Sequence, residues 1–236
     1  MTPLDRLRLE KAAADCGFEM TPLERDGGLE LRSARFPESV VVRPVAPSVF
    51  EVVPTSPLLL HGDAASVTVQ GYEAVYSVLR TAAAHARTLP NRVAEEFKSK
   101  TSAMPKSTEA ERLVVQRVGQ DLFRAALMDF WQGRCCVTGL DVPQLLRASH
   151  IRPWAQCETD EQRLDVFNGL LLAPHLDALF DAGLMTFDAG GSAVVSDKLS
   201  ADQRQALGLQ PTMRARGLLA EHQAYLDYHR RDVWAG

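Results

Sequence analysis

The side chains best suited to chemistry lie between residues 147 and 181. The stretch RASHIRPW carries one histidine, His150; Asn168 follows 18 residues later, and His175 and Asp177 lie 25 and 27 residues later. A neutral imidazole whose ordinary pKa is about 6.5 can take a proton from water at neutral pH. A carboxylate can hold a divalent cation, which stabilises charge on a phosphate and on its leaving oxygen. An asparagine can fix a histidine-bearing loop through backbone hydrogen bonds. These are the groups that metal-assisted phosphodiester hydrolysis needs. Taken alone, His150 reads as a packed imidazole beside a turn, and its candidate partners downstream leave the base as the alternative.

Those partners meet only if the local elements bring them together. LLRASHI reads as a strand, CETDEQRLD as an acidic loop, NGLLL as a second strand and PHLDALFDAG as a short helix with Pro174 near its start and Gly183 closing it. His150 then ends the first strand, Asn168 opens the second, and His175 and Asp177 sit in the helix's first turn. Helix positions two apart point about 200° apart, so His175 and Asp177 are not expected to share one ion. Either Asp177 or His175 could then hold the ion, the other serving as a phosphate or supporting contact. Oxygen ligands favour Mg2+, and an added imidazole would widen tolerance to Mn2+, Ni2+ or Zn2+. Asp181 reads as a cap or as the partner of a basic side chain, Trp154 and Phe180 as core, and Cys135 and Cys136 as packed thiols. No organic cofactor is indicated.

The rest of the chain supports an α+β fold in two parts. A helix begins at Thr2, with Pro3 at its first position, and stops at Gly17. Valine-rich segments LELRS, SVVVRPV and VFEVVP read as a small antiparallel sheet, and GYEAVYSVLRTAAAHARTL returns to helix. Residues 1–98 form this α+β module, a candidate for specificity or dimerisation. Residues 99–107, including SKTSAMPKS, read as a linker, and 108–236 as the second domain with its core at 135–190. Ser107 or Thr108 can cap the next helix. Leu113, Val114, Val118, Leu122, Phe123, Ala126, Leu127 and Phe130 mark its packed face, while Arg117, Gln120 and Arg124 stand on the other. LMTF and AVVS suggest a hairpin, and the chain reads as helical from Ser200.

Composition narrows the function classes. The chain has 236 residues, 46% hydrophobic and 24% charged, with no stretch of the roughly 18 apolar residues a membrane helix needs. The amino end lacks a signal-like hydrophobic segment, so the expected location is cytoplasmic. Four cysteines without a CxxC spacing suggest neither a disulfide framework nor a four-cysteine zinc site. A net charge of -4 does not advertise nucleic-acid binding, so phosphate contacts must come from a local patch. The run from Arg87 to Arg124, with eight Lys or Arg against five acids, is one candidate. Arg147, Arg152 and Arg163 flank the site, and with Arg117 and Arg124 they are the candidate phosphate contacts.

The order and spacing of four short words resemble the HNH nucleases. They are the VTG turn at 137–139, ASHIRPW at 148–154, NGLLL at 168–172 and HLDALFDAGL at 175–184. The preceding QRVGQDLFRAAL and the terminal YHRRDVW look like extensions seen in the same subgroup. The resemblance implies a ββα-metal fold and a metal-dependent endonuclease acting on DNA. By it, His150 is the general base, Asn168 the bracing residue and Asp177 the distal metal ligand. Two positions depart from the common pattern: Ser149 stands where many members place a metal-binding Asp or His, and Asp177 where His is frequent. Family analogy also suggests restriction or phage defence, with a homodimer as a natural means of cutting both strands. The departures motivate one alternative, a non-catalytic DNA-binding or scaffold protein with a decayed site; an RNA-directed nuclease is a further one.

Overall fold

Thr2 starts the first helix through a reciprocal capping box with Asp5, and Gly17, at φ 101°, ends it in a left-handed conformation. This helix, α1 (Pro3–Cys16), opens the first of two units into which the computed structural model divides, Met1–Leu89 and Pro90–Gly236. The residues described are 1–60, 65–89, 92–105 and 107–236. In the first unit, β1 (Leu23–Arg25), β2 (Gly28–Leu31), β3 (Val40–Ala46), β4 (Val49–Pro54) and β5 (Val67–Gln70) form one antiparallel meander in chain order. Leu29, Leu31, Val40, Val42, Phe50 and Val52 are buried. Their two-residue alternation gives the sheet one face to pack against helices. α1 packs on α2 (Tyr72–Thr88), and both helices contact the sheet. The valine-rich words locate β2, β3 and β4. The edge strands β1 and β5 went unread because LER is wholly exposed and VTVQ alternates between half-buried and exposed positions.

The second unit begins with α3 (Arg92–Thr101), which buries Val93, Ala94, Phe97 and Thr101. The linker expected over 99–107 is therefore shorter, because Ser99, Lys100 and Thr101 complete a helix whose apolar anchors lie upstream of them; Lys106 falls outside the described residues. Next, α4 (Glu109–Phe130) starts at a capping box between Thr108 and Glu111 and buries Gly119, Phe123, Ala126, Leu127 and Phe130. Leu113 and Val114, expected on its packed face, are exposed in its first two turns.

After α4 come β6 (Arg147–His150), α5 (Asp160–Leu164), β7 (Gly169–Leu172), α6 (Pro174–Asp181), β8 (Met185–Phe187), β9 (Ala193–Val195), α7 (Ala201–Ala206) and α8 (His222–Tyr228). A π-helical turn, His229–Val233, continues α8. The acidic loop expected at 157–165 contains α5, because Thr159 caps it and Asp160 and Glu161 occupy its positive end. Of the helical reach expected from Ser200, only 201–206 and 222–233 are helical.

β6 and β7 pair antiparallel, with Ser149 opposite Leu170 and His150 opposite Gly169. α4 packs on both strands and α6 packs on β6. Gly169 makes the approach of α4 possible: a Cβ there would lie 2.6 Å from Phe123 Cζ. Gly119 serves the same purpose against Trp154, whose Cη2 would be 2.7 Å from an added Cβ. β8 and β9 form the expected hairpin. Among the described residues, no helix is long and apolar enough to cross a membrane.

Candidate active site

Neighbouring residues on a strand point to opposite faces, and at the end of β6 this separates two functions. His150 stacks on Phe123 of α4, ring centroids 3.8 Å apart at 16°, and meets Trp154 edge-on. Ser149 turns to α6, where its Oγ lies 3.4 Å from Asp181 Oδ1.

The His150 tautomer follows from its partner. Nε2 lies 2.8 Å from the Arg163 carbonyl oxygen. A carbonyl only accepts, so Nε2 carries the proton and Nδ1 presents a lone pair. Among the described residues no hydrogen bond engages Nδ1. Burial lowers the pKa from 6.5 to about 4, against the raising effect of the Arg163 carbonyl. The ring is therefore neutral at neutral pH, and the same carbonyl is placed to stabilise the imidazolium that proton uptake creates.

Asn168 lies in the support of the site. It is fully buried, and its Oδ1 accepts from the Arg152 backbone N–H at 2.7 Å. Its Nδ2 donates to the carbonyls of Gln162 and Arg152 at 3.0 and 3.2 Å, and lies 3.4 Å from Cys157 Sγ. Ile151 N–H donates to the Asn168 carbonyl at 3.0 Å. One side chain thus ties Arg152 and Gln162, near the two ends of the 151–162 segment, to the turn before β7, and Arg163, whose carbonyl orients His150, immediately follows that segment.

The acidic part of the site is a pair on α6. Asp177 and Asp181 are four residues apart and therefore share a helix face. Burial raises both pKa values; Asp177 pushes Asp181 up further, while the Ser149 hydroxyl, whose one proton is within reach of either carboxylate, pulls each down. Arg147 exerts a smaller lowering effect on Asp177. Sequence reasoning missed Asp181, although its i, i+4 spacing from Asp177 was the available signal. His175 is exposed in the first turn and lines neither of the hollows beside His150.

Both hollows are lined by His150 and Trp154. A cavity of about 290 Å³ is lined by Ser149, His150, Trp154, Asp181, His229 and Val233, among others. A groove of about 280 Å³ is lined by Arg117, Gln120, Asp121, Phe123, Arg124, Ala148, His150 and Trp154. Of the five arginines read as phosphate contacts, Arg117 and Arg147 are exposed. The guanidinium of Arg124 donates to the carbonyls of Leu146 and Pro143 at 2.6 and 2.7 Å. Arg163 holds the carbonyls of Cys157 and Trp154 and the Asp160 carboxylate. Arg152 pairs with Glu158 and lies 4.7 Å over the Tyr228 ring. Three of the five thus have their guanidinium groups engaged within the protein.

An antiparallel strand pair with a following helix thus carries a neutral histidine at the strand end and a carboxylate pair on the helix, groups that could serve phosphodiester hydrolysis. Residues 135–188 match the HNH_2 family model, described as HNH endonuclease, and the match suggests nuclease activity on nucleic acid. No curated protein matches the chain.

Nucleases of this family generally use a divalent metal. Asp177, Asp181 and the Ser149 hydroxyl fit a hard cation: they are oxygen donors, and the two carboxylates repel one another across a partly buried face. Among the described residues there is no group of three His, Cys, Asp or Glu side chains suited to a metal. The remaining positions around an ion would fall to water and phosphate oxygens, as Mg2+ prefers. All four cysteines are free and buried; Cys135 Sγ accepts backbone N–H groups of Thr138 and Ala173.

Proposed function

We propose that this protein is a divalent-metal-dependent endonuclease that hydrolyses DNA phosphodiester bonds, with His150 as general base. The observation that carries this reading is the Nδ1 lone pair of a neutral, rigidly stacked imidazole beside the Ser149–Asp177–Asp181 face. Water next to His150 gives its proton to Nδ1 as its oxygen attacks phosphorus, and the 3′ oxygen leaves. The Arg163 carbonyl holds the ring and stabilises the imidazolium. Asp177 and Asp181 would hold the cation, and Asn168 fixes the segment that leads to Arg163. Bound there, a divalent ion, Mg2+ in first place, supplies charge stabilisation at the phosphate and leaving oxygen. Arg117 and Arg147 are the arginines disposed to meet phosphates.

Such a site reads backbone rather than bases, so target choice falls to other parts of the chain, with the amino-terminal module as the candidate for specificity or for forming a dimer. Restriction or phage defence is the setting this arrangement suits. The test is plasmid nicking with Mg2+ or Mn2+ beside His150→Ala. Metal-dependent nicking that the substitution reduces by about 10²- to 10⁴-fold is expected. Nicking by the variant at the wild-type rate, or none with any divalent ion, would sink the enzyme reading and leave a DNA-binding scaffold. Parallel RNA and modified-DNA substrates define the polymer and the base chemistry preferred.

A further inference from the structure

His229, in the terminal YHRRDVW segment, is 1% exposed and uses both ring nitrogens. Nε2 lies 3.0 Å from the Phe180 carbonyl oxygen and Nδ1 lies 2.9 Å from Thr186 Oγ1. The carbonyl fixes the tautomer: Nε2–H donates to it, and Nδ1 accepts from the threonine hydroxyl. The ring also stacks on Phe180, centroids 3.8 Å apart at 9°. The Phe180 carbonyl belongs to the peptide unit that leads into Asp181, at the end of α6, where helix carbonyls lack intrahelical partners. Gly183 N–H supplies one donor to this oxygen at 3.0 Å, and His229 supplies the other.

The chain end completes the clamp. Ala235 N–H donates to the Gly183 carbonyl at 2.9 Å, and a Cβ at Gly183 would lie 2.2 Å from the Val233 carbonyl oxygen. His229 and Val233 line the same cavity as Ser149, His150 and Asp181.

We propose that His229 is a positioning residue for the carboxylate pair: by pinning the Phe180–Asp181 peptide it sets where the Asp181 carboxylate stands relative to Ser149 and Asp177. This rests on the reading of Asp177 and Asp181 as the cation-binding pair. A carboxylate whose backbone is free to rotate binds a cation more weakly, and losing an outer partner of a metal site typically costs about 10- to 100-fold in affinity.

The test is calorimetric Mn2+ binding by the full-length protein, with thermal unfolding followed in parallel. His229→Gln can still donate to the Phe180 carbonyl, whereas His229→Asn is too short to reach it. Leu226→Ala, in the same carboxy-terminal helix, serves as a control for lost core packing. We expect His229→Asn to weaken Mn2+ binding by about 10-fold, the Gln variant to stay within about 2-fold, and Leu226→Ala to lower the unfolding midpoint while binding Mn2+ normally. Equal binding by the Asn and Gln variants, or equal weakening in Leu226→Ala, overturns the positioning role. Asp181→Ala separates the two readings: unchanged Mn2+ binding in that variant removes the carboxylate pair and the clamp together, whereas its loss beside a normal His229→Asn removes the clamp alone.

Discussion

His150 and His229 occupy nearly the same physical environment and differ in one nitrogen. Each stacks on a phenylalanine at 3.8 Å, each donates Nε2–H to a backbone carbonyl, and in each burial lowers the pKa to about 4. The difference is the second nitrogen. Nδ1 of His229 is taken by Thr186, whereas Nδ1 of His150 faces no described hydrogen-bond partner. Burial, stacking and a depressed pKa therefore do not separate the two rings; the unengaged lone pair does, and under the proposed function it makes His150 the base.

Substitutions sharpen that difference most. His150→Ala is expected to reduce nicking by about 10²- to 10⁴-fold, since it removes the proton acceptor. Its effect on the unfolding midpoint should be smaller than that of Phe123→Ala, which truncates a fully buried core ring at a cost of about 3–5 kcal/mol. Denaturant unfolding of both variants checks the ordering, and a His150→Ala protein as destabilised as Phe123→Ala would return His150 to the packed class. Asn168→Ala comes next. It leaves the Arg152 N–H and the carbonyls of Gln162 and Arg152 without their partner inside the protein, at about 1–3 kcal/mol per unsatisfied group. Both stability and turnover should fall, because the 151–162 segment and the Arg163 carbonyl beyond it lose their tie. Turnover intact in a destabilised protein would show that His150 needs no such brace.

The candidate site was legible in the sequence where spacing alone carries geometry. His150, Asn168 and Asp177 could be placed because a strand, a second strand and a helix in that order return to one point. Asp181 could have been, since i, i+4 on a helix is a same-face relation, but an aspartate at a helix end also reads as a cap. The clamp by His229 was not legible, for it joins residues 49 apart through a backbone carbonyl, and backbone acceptors leave no mark on sequence. The arginines illustrate the same limit: Arg163 and Arg124 look like surface cations until their carbonyl partners are known. In the fold, the valine-rich words of β3 and β4 were clear, whereas the edge strands β1 and β5, with little apolar area to bury, gave no pattern. Leu113 and Val114 fit the α4 period yet are exposed, because periodicity marks a face without saying how far along it the packing extends.

Acid separates the two histidines in another way. Both rings titrate near 4 in the folded protein against 6.5 unfolded, so the unfolded chain takes up protons first. Stability is then full above pH 6.5 and declines as pH falls from 6.5 through 4, by roughly 3 kcal/mol per ring at about 1.4 kcal/mol per pKa unit. Replacing either ring with glutamine should flatten its share of that decline in unfolding experiments. An unchanged slope in His229→Gln would mean that its ring is not held neutral.

The smallest effects should come from the arginines. Arg117 is exposed on α4 beside the groove that reaches His150, with only a 3.7 Å ion pair to Asp121, so Arg117→Ala should change stability by no more than about 0.5 kcal/mol. If Arg117 meets a phosphate, the variant should bind DNA more weakly across sequences, and the slope of log affinity against log salt should become shallower by about 1. Arg163→Ala should behave oppositely, lowering stability through the lost carbonyl contacts while leaving the salt slope unchanged, since its guanidinium already serves the loop. Equal salt slopes for wild type and Arg117→Ala, with a shallower one for Arg163→Ala, would reverse the assignment and make the loop arginine the phosphate contact.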